Sequence, residues 1–148
     1  NSNNLIEEYV ISKRYPSSLE IKITETKLLA HLNKRGKSFY IGSNGKLIEA
    51  EDMVKNLPYI FGDPNIDKFL SFKRIIDKSK LDYNNVENLF FYPSGRWDIE
   101  TSSGVLIKLP IENIEKSLEL SLNLLDNKQF ENIKSIDARP QNQVITYE

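Results

Sequence analysis

The stretch VENLFFYPSGRWDIETSSGVLIKLP, residues 86–110, contains three short runs that favour β-strand. The runs are Val86–Tyr92, Arg96–Thr101 and Val105–Leu109, and they are rich in β-branched and aromatic residues. The runs are separated by two three-residue segments, Pro93–Gly95 and Ser102–Gly104. Each segment ends in glycine, which is typical of tight antiparallel turns. Pro110 ends the last run, because proline cannot donate a hydrogen bond to a strand ladder. The sequence therefore predicts a three-stranded antiparallel meander.

Two helical patterns flank this meander, Ile66–Lys80 and Glu112–Asn127. Asn65 is a suitable N-cap for the first, because its side chain can accept a hydrogen bond from the first helical turn. Apolar residues recur every three or four positions in both patterns, which is the spacing of one helix face. These residues are Ile66, Phe69, Leu70, Ile76 and Leu81 in the first pattern and Ile114, Leu118, Leu122 and Leu125 in the second.

Alternating apolar and polar residues predict further strands before the first helix. The expected strands are Val10–Arg14, Leu19–Glu25, Lys27–Asn33, Ser38–Ile41 and Lys46–Glu49. Tyr15–Ser18 is expected to be a turn, and residues 50–57 either one helical turn or an irregular link. The complete order predicts an α+β fold, with a largely antiparallel β-sheet and two main helices packed on one face.

The last sixteen residues, IKSIDARPQNQVITYE from Ile133 to Glu148, predict a terminal hairpin. Residues 133–139 alternate between two faces, residues 140–142 are a turn signal, and Val144–Tyr147 is β-branched and aromatic. The sequence stops there, and a terminal strand tends to lie at the edge of its sheet. An edge strand carries unpaired N–H and C=O groups that another chain can pair with. We therefore expect Gln143–Glu148 to be a docking edge.

Composition excludes several classes of function. The 148 residues suit one domain, or one domain and a fragment of another. A net charge of −1 without a basic stripe argues against a nucleic-acid partner. The absence of cysteine excludes disulfides, thiolate metal sites and a cysteine nucleophile. No apolar run reaches the about 18–20 residues of a membrane span. Since Asn1 is not an initiator methionine, we read the chain as a piece of a longer protein.

The candidates for catalysis are few. His31 is the only histidine and lies in a strand pattern, which favours a structural role over a catalytic one. Gly42–Gly45 is better explained as a hairpin turn than as a phosphate-binding loop, because no Lys-Ser/Thr and no helix follow it. The acidic residues are not spaced as a calcium loop. We predict no catalytic residue, no metal site and no cofactor, although paired acids for glycoside chemistry stay an alternative.

The aromatic residues of the meander allow two interpretations. Phe90, Phe91, Tyr92 and Trp97 resemble a carbohydrate platform at first sight. Because alternate strand residues face opposite ways, core packing with one exposed ring is the better interpretation. We predict that Trp97 is buried.

Five segments, taken in order, carry a resemblance to a known family. They are Ser12–Glu25 (SKRYPSSLEIKITE), Phe39–Glu49 (FYIGSNGKLIE), Leu57–Pro64 (LPYIFGDP), Gly95–Pro110 (GRWDIETSSGVLIKLP) and Ile133–Glu148. Their order and spacing resemble the FtsQ/DivIB family of bacterial cell-division proteins. The chain departs from the family pattern at Pro110, where glycine is usual, and at Pro140, where many members have an aromatic or aliphatic residue.

The resemblance implies a single-pass inner-membrane protein whose POTRA and β domains lie on the periplasmic side at the division septum. Residues 1–25 would be the C-terminal part of the POTRA domain and residues 26–148 the β domain, with the membrane helix outside this chain. It also implies a non-enzymatic scaffold of the divisome, without a small-molecule substrate. Its partners would be division proteins of the FtsB/FtsL type, bound by β-strand addition. The alternatives are an extracytoplasmic cell-wall carbohydrate hydrolase and a POTRA-type outer-membrane assembly protein.

The expected partner-binding residues lie in the terminal hairpin. They are Arg139, Gln143, Val144, Ile145, Thr146 and Tyr147. Arg139 matches the arginine of the family's Asp-x-Arg motif, which implies that it faces an acidic residue of the partner. Two alternatives stay open: Arg139 pairs internally with Asp137 or Asp98, and Tyr147 is an edge tyrosine without a partner.

Overall fold

The computed structural model describes residues 6–14, 18–50, 56–127, 131–140 and 143–148, with side chains from Thr26 onward. The chain divides into two compact units, residues 1–53 and 54–148. The domain boundary expected after residue 25 stays a prediction. Parts of the expected segments Tyr15–Ser18, 50–57 and 140–142 lie outside the described residues.

The first unit contains two groups of antiparallel strands. β1 (Ile6–Arg14) pairs with β2 (Ser18–Glu25), and β3 (Leu28–Lys34), β4 (Lys37–Gly42) and β5 (Leu47–Glu49) form a second group in that order. The turn between β4 and β5 is closed by a hydrogen bond from Gly42 N to Lys46 O at 2.9 Å. The hairpin interpretation of Gly42–Gly45 is therefore confirmed.

His31 has the structural environment that its strand position predicts. The side chain is buried on β3, and its ring centroid lies 4.4 Å from that of Tyr40 on β4. Ring contact of this kind stabilises a sheet by packing.

The second unit alternates strands and helices along the chain. Its elements are β6 (Tyr59–Phe61), α1 (Ile66–Lys78), a short 3-10 helix (Tyr83–Asn85), β7 (Val86–Phe91), β8 (Trp97–Thr101), β9 (Leu106–Lys108), α2 (Ile114–Leu125), β10 (Ser135–Asp137) and β11 (Ile145–Tyr147). The strands are ordered β11-β10-β9-β8-β7-β6 within this unit. The predicted meander is β7-β8-β9, and the α+β class is confirmed.

Two strand pairs depart from the antiparallel expectation. β6 pairs with β7, and β9 with β10, in parallel. In both cases a helix lies between the paired strands along the chain, which is the usual connection for parallel neighbours. β6 is a strand that we did not predict, because Tyr59–Phe61 is too short for alternation to be visible and obtains its partner only through β7.

Helix α1 begins where its N-cap predicts, since Asn65 Oδ1 accepts a hydrogen bond from Lys68 N at 2.8 Å. It ends at Lys78, two residues before the expected end, where Ser79 caps the Ile76 carbonyl. Its buried residues are Phe69, Phe72 and Ile76. Phe69 and Ile76 of the expected stripe are buried and Leu70 is half-buried, whereas the buried Phe72 was not part of the expected stripe.

Helix α2 is shorter at both ends than the expected Glu112–Asn127. Asn113 precedes it in the left-handed region, with φ of 56°, and makes no side-chain cap. Leu118 and Leu122 of the predicted stripe are buried, as is Ser121, whose Oγ donates to Ser117 O at 2.8 Å. Buried serine is tolerated here because its hydroxyl is satisfied within the helix.

A row of aliphatic side chains crosses the second unit's sheet in register. The row consists of Ile60, Leu89, Ile99, Ile107 and Ile136, each at most 1% exposed, and it ends at the half-buried Thr146 on β11. Trp97 shares this face of β8 with Ile99 and packs against Phe69 and Phe72 of α1. We call this side of the sheet the helix face. The expectation that Trp97 is buried is confirmed, since it is 4% exposed.

Gly62 is a position where only glycine fits. Its φ is +105°, and an added Cβ would lie 2.2 Å from the backbone oxygen of Phe91 on the neighbouring strand. We expect Gly62→Ala to lower the free energy of unfolding by about 1–3 kcal/mol more than Gly95→Ala. Gly95 is a matched control, because its φ is +93° but a Cβ there meets nothing within 4 Å. Urea unfolding of both variants measures the difference, and equal losses would contradict the clash.

Candidate partner-binding surface

The side of the second unit's sheet opposite the helix face carries a second cross-strand row. It consists of Phe61, Phe90, Asp98, Lys108, Asp137 and Ile145. We call this side the open face. Apolar side chains lie at both ends of the row and charged side chains lie between them, so the two ends and the middle present different chemistry.

Among the side chains that the structure describes, four of the six large exposed apolar ones lie on the open face. Phe61 is 46% exposed and stacks on Phe90, with ring centroids 5.0 Å apart. At the other end, Ile145 and Tyr147 of β11 are 39% and 51% exposed. Tyr92, which follows β7, is also exposed. These side chains form two separate groups at opposite ends of the row, and exposed apolar groups of this kind are typical of interaction surfaces.

Asp98 is buried in the middle of the open face and is fully engaged. It accepts a hydrogen bond from Tyr92 Oη at 2.9 Å and forms a salt bridge with Arg96. The Arg96 guanidinium also lies 4.4 Å from the centroid of the Tyr92 ring. Burial, followed by the hydrogen bond to Asp98, raises the pKa of Tyr92. The three side chains form a neutralised cluster, which agrees with the rule that buried charges are paired.

Asp137 and Arg139 form a second ion pair, beside β11. Arg139 Nε and Nη2 donate to the two carboxylate oxygens of Asp137 at 2.8 and 2.7 Å. The Asp137 side chain is 9% exposed, whereas that of Arg139 is 46% exposed. The side-chain hydrogen bonds from Arg139 lower the pKa of Asp137 and raise the pKa of Arg139. Of the open alternatives for Arg139, internal pairing with Asp137 is the one the structure shows.

The structure brings the six expected partner-binding residues to one edge of the sheet. β11 is the last strand in the order of the second unit and pairs antiparallel with β10, with Thr146 opposite Ile136. Ile145 pairs with Asp137 of the open-face row and Thr146 pairs with Ile136 of the helix-face row, so Ile145 and Tyr147 lie on the open face and Thr146 on the helix face. Gln143 is exposed and Val144 half-buried just before β11. Partner binding by these residues stays a prediction.

Three open-face residues near β11 were not among the expected site residues: Asp98, Lys108 and Asp137. Lys108 lies between Asp98 and Asp137 in the cross-strand row, and all three are charged. The alternation of β8 and β9 placed Asp98 and Lys108 on one side of their strands. Their juxtaposition depends on the register with β10, which no local pattern reveals.

The Asp137–Arg139 pair predicts a pH dependence of stability. The folded-state pKa of Asp137 lies below its unfolded value, so the pair stabilises the fold above that unfolded value and loses this effect as the pH falls through the folded pKa. When the pH is lowered from about 4 to about 2, we expect the free energy of unfolding to decrease less in the Asp137→Asn variant than in wild type. Urea unfolding across this range measures it, with the exposed Glu112→Gln as control. Parallel curves for wild type and Asp137→Asn would contradict the assignment.

Within the described ranges, no group of three or more His, Cys, Asp or Glu side chains is placed to hold a metal ion. Among the same residues, no helix is both long and apolar enough to cross a membrane.

Comparison with known proteins identifies the chain as a cell-division protein. It belongs to the FtsQ/DivIB family: the model of the family's C-terminal region, described as "Cell division protein FtsQ/DivIB, C-terminal", matches residues 30–139. The matched range includes the meander, both helices and β10. The resemblance read from the five sequence segments is therefore confirmed.

Two curated relatives support the same assignment. The chain is 26% identical to cell division protein FtsQ of Rickettsia bellii over 95% of its own length, and 31% identical to cell division protein DivIB of Clostridium botulinum over 89%. These matches cover 54% and 58% of the two relatives, so the chain spans little more than half of their length. A solved structure of the major extracytoplasmic domain of DivIB from Geobacillus stearothermophilus matches 66% of the chain and 87% of that domain, with a TM-score of 0.47 and 16% identity.

Proposed function

We propose that this chain is the scaffold region of a division protein that binds FtsB/FtsL-type partners by β-strand addition at β11. The observation that carries the proposal is the position of β11 at the end of the sheet, with Ile145 and Tyr147 exposed beside it. The family membership supports a role in the division complex. In this role the chain has no substrate, and assembly of the septal machinery is its function.

Strand addition divides recognition between backbone and side chains. The backbone groups on the outer side of β11 pair with the partner strand and tolerate many sequences, whereas alternate side chains supply specificity. Ile145 and Tyr147 provide apolar contact on the open face, and Tyr147 acts as the aromatic anchor. Arg139, nearly half exposed beside them, supplies a positive charge for an acidic partner residue.

We also propose a location for this chain in the cell. The family resemblance supports an inner-membrane protein with this region on the periplasmic side of the septum, anchored by a helix outside the chain. Residues 1–25 would be the end of a POTRA domain and residues 26–148 the β domain.

Titration of the chain with the soluble domains of FtsB- and FtsL-type proteins tests the proposal. Isothermal calorimetry is expected to show saturable binding to at least one of them. The complex is then purified by size exclusion. If a partner strand pairs with β11, hydrogen exchange of the β11 amides is expected to be slower in the complex than in the free chain. Absence of binding to both domains, separately and as a mixture, would contradict the proposed function.

Arg139 provides a charge test of the same site. We expect Arg139→Glu to weaken partner binding more than Arg139→Ala, because the glutamate would repel both an acidic partner and Asp137. The matched control is Arg74→Glu, the same charge change at an exposed position on α1. Calorimetry measures the affinities, and circular dichroism shows that each variant is folded. Equal affinities for the two Arg139 variants would show that this charge does not contact the partner.

A further inference from the structure

The two helices leave a groove between them on the helix face of the sheet. Two adjoining depressions, with volumes of about 980 and 500 Å³, share the side chains of Ile75, Ile111 and Ile114. Ile75 belongs to α1, Ile114 to α2, and Ile111 to the segment that leads into α2. The depressions therefore form one continuous groove, which we call the helix groove, with the three isoleucines at its centre.

The helix groove is an apolar surface over a core that is already closed. Ile111 is 56% exposed, the highest value among the large apolar side chains that the structure describes. Ile75 and Ile114 are half-buried. Phe72 and Trp97, which line one end of the groove, are only 2% and 4% exposed. Since the core excludes water without Ile111, its exposure is not explained by folding, and an exposed apolar cluster is typical of an interaction site.

The two walls of the groove carry opposite charges. Lys78 and Lys80 lie on the α1 side, and Glu115 and Glu119, one helical turn apart, lie on the α2 side. All four residues are exposed. Within the part of the chain that the structure describes, Lys78, Glu115 and Glu119 form no ion pair or side-chain hydrogen bond. The walls therefore face each other with charges that are free to pair with a third element.

The remaining charges at the groove leave this arrangement unchanged. Lys116 also lines a second depression, beside the terminal hairpin, so it lies at the outer crest of α2. Lys80 donates to Asn123 of α2 at 3.3 Å. At the opposite end of the groove, Asp67 and Lys68 contribute one charge of each sign. The unpaired charge is therefore positive on the α1 wall and negative on the α2 wall.

An α-helix fits this groove better than a strand does. The backbone groups of α1 and α2 are bonded within their own helices, so the walls offer no ladder for a strand to pair with. A helix satisfies its own backbone and presents only side chains. Helix α1 has 13 residues, about 20 Å, which gives room for about three to four turns of a helix lying beside it.

We propose that the helix groove binds an amphipathic α-helix of another protein. Its apolar residues, at i, i+3 or i+4 and i+7, cover the three isoleucines, its acidic flank faces Lys78, and its basic flank faces Glu115 and Glu119. An anionic membrane surface fits less well, because its headgroups would meet the two glutamates. Neither depression of the groove is lined by residues 143–148, so this surface is separate from the edge of the proposed function.

Three synthetic peptides, each about 15 residues long and held helical by a covalent staple, are the probes that test the proposal. They share one leucine seam and contain no aromatic residue. Their flanks carry glutamate on one side and lysine on the other, glutamate on both sides, or lysine on both sides. A helix can enter the groove in either direction, so the mixed peptide can always match both walls. The fluorescence of Trp97, the only tryptophan of the chain, measures binding, and isoleucine methyl NMR signals locate it.

The mixed peptide is expected to bind about three- to tenfold more tightly than the other two, the combined effect of a few exposed ion pairs. It should shift the methyl signals of the three isoleucines. Replacement of both Glu115 and Glu119 by lysine makes both walls positive, so the peptide with glutamate on both flanks is expected to bind that variant best. Glu112→Lys, a charge reversal outside the groove, is the control that keeps the preference of wild type.

Ile111→Asp tests the apolar centre of the groove. It is expected to abolish peptide binding, because its carboxylate would lie under the leucine seam. Leu120→Asp is the matched control, since Leu120 is 41% exposed on α2 but lines the depression beside the terminal hairpin. Circular dichroism shows that both variants are folded. The chain without Gln143–Glu148 is expected to bind the mixed peptide as wild type does, which separates this proposal from partner binding at β11.

Four results would overturn the proposal. The first is that none of the peptides binds wild type, or that the methyl shifts avoid the three isoleucines. The second is equal affinity of the three peptides, which would refute the charge assignment of the walls. The third is self-association, seen by sedimentation equilibrium, that Ile111→Asp abolishes, which would assign the groove to a second copy of the chain. The fourth is binding to anionic vesicles that the same variant abolishes, which would assign the groove to a membrane surface.

Discussion

Removal of Gln143–Glu148 is expected to abolish binding of FtsB/FtsL-type partners while the rest of the chain stays folded. Among the residues of the second unit that the structure describes, β11 pairs only with β10, over three residue pairs, and its exposed side chains are Ile145 and Tyr147. A short terminal edge strand can be lost with modest damage to a core formed elsewhere. Partner binding by strand addition, in contrast, requires the backbone of this strand. Calorimetric titration and circular dichroism of the shortened chain measure the two effects.

Two proline variants test the role of the β11 backbone without shortening the chain. Adjacent residues of a strand direct their N–H groups to opposite sides, so one of Thr146→Pro and Tyr147→Pro loses a bond to β10 and the other loses an outward N–H. We expect the variant that lacks the outward N–H to lose partner affinity with the smaller loss of stability. If the chain that lacks Gln143–Glu148 bound the partner with unchanged affinity, the binding surface would have to lie elsewhere than β11.

Replacement of Trp97 by alanine is expected to be the most destabilising single change, lowering the free energy of unfolding by about 3–5 kcal/mol. Trp97 is 4% exposed and stacks on Phe72 of α1, with ring centroids 4.7 Å apart and planes within 1° of parallel. The ring centroids of Phe69 and Phe91 lie 6.4 and 4.8 Å from that of the same indole. Alanine would leave a cavity between the sheet and α1, which neighbouring side chains cannot fill without moving the helix.

Urea unfolding followed by circular dichroism measures this loss. Phe61→Ala is the matched control, because it removes an aromatic ring that also stacks in the sheet but is 46% exposed. We expect the control to lose much less stability, since its ring is only partly removed from water on folding. A loss below about 1 kcal/mol for Trp97→Ala would show that the indole is not the centre of the contact between α1 and the sheet.

Local patterns in the sequence were sufficient to predict most elements of the fold. The glycine turns at Gly95 and Gly104 delimit β8, and the N-cap at Asn65 starts α1, because each depends only on residues close in sequence. The helix ends were less well predicted, since the last turns of α1 and α2 depend on capping contacts rather than on the apolar period. Burial of Trp97 also followed from local position, in a strand between two turns.

The sequence predicted the edge strand of the candidate site, and partner binding there stays a prediction. The β-branched residues of Val144–Tyr147 predicted a strand, and the structure places that strand at the end of the sheet. The sequence left open whether Arg139 pairs with Asp137 or Asp98. Both acids lie on the open face, and the choice depends on distances between strands, which residue spacing does not contain.

The sequence by itself determined the order of strands and helices, the alternation of faces within each strand and the family. The tertiary structure alone decided the parallel pairing of β6 with β7 and of β9 with β10, the burial of Phe72, and the register that aligns Ile60 with Ile136 on one face and Asp98 with Asp137 on the other. The physical reason is that alternation and helical period are properties of neighbouring residues. Register and parallel pairing arise instead from hydrogen bonds and packing between segments that are distant along the chain.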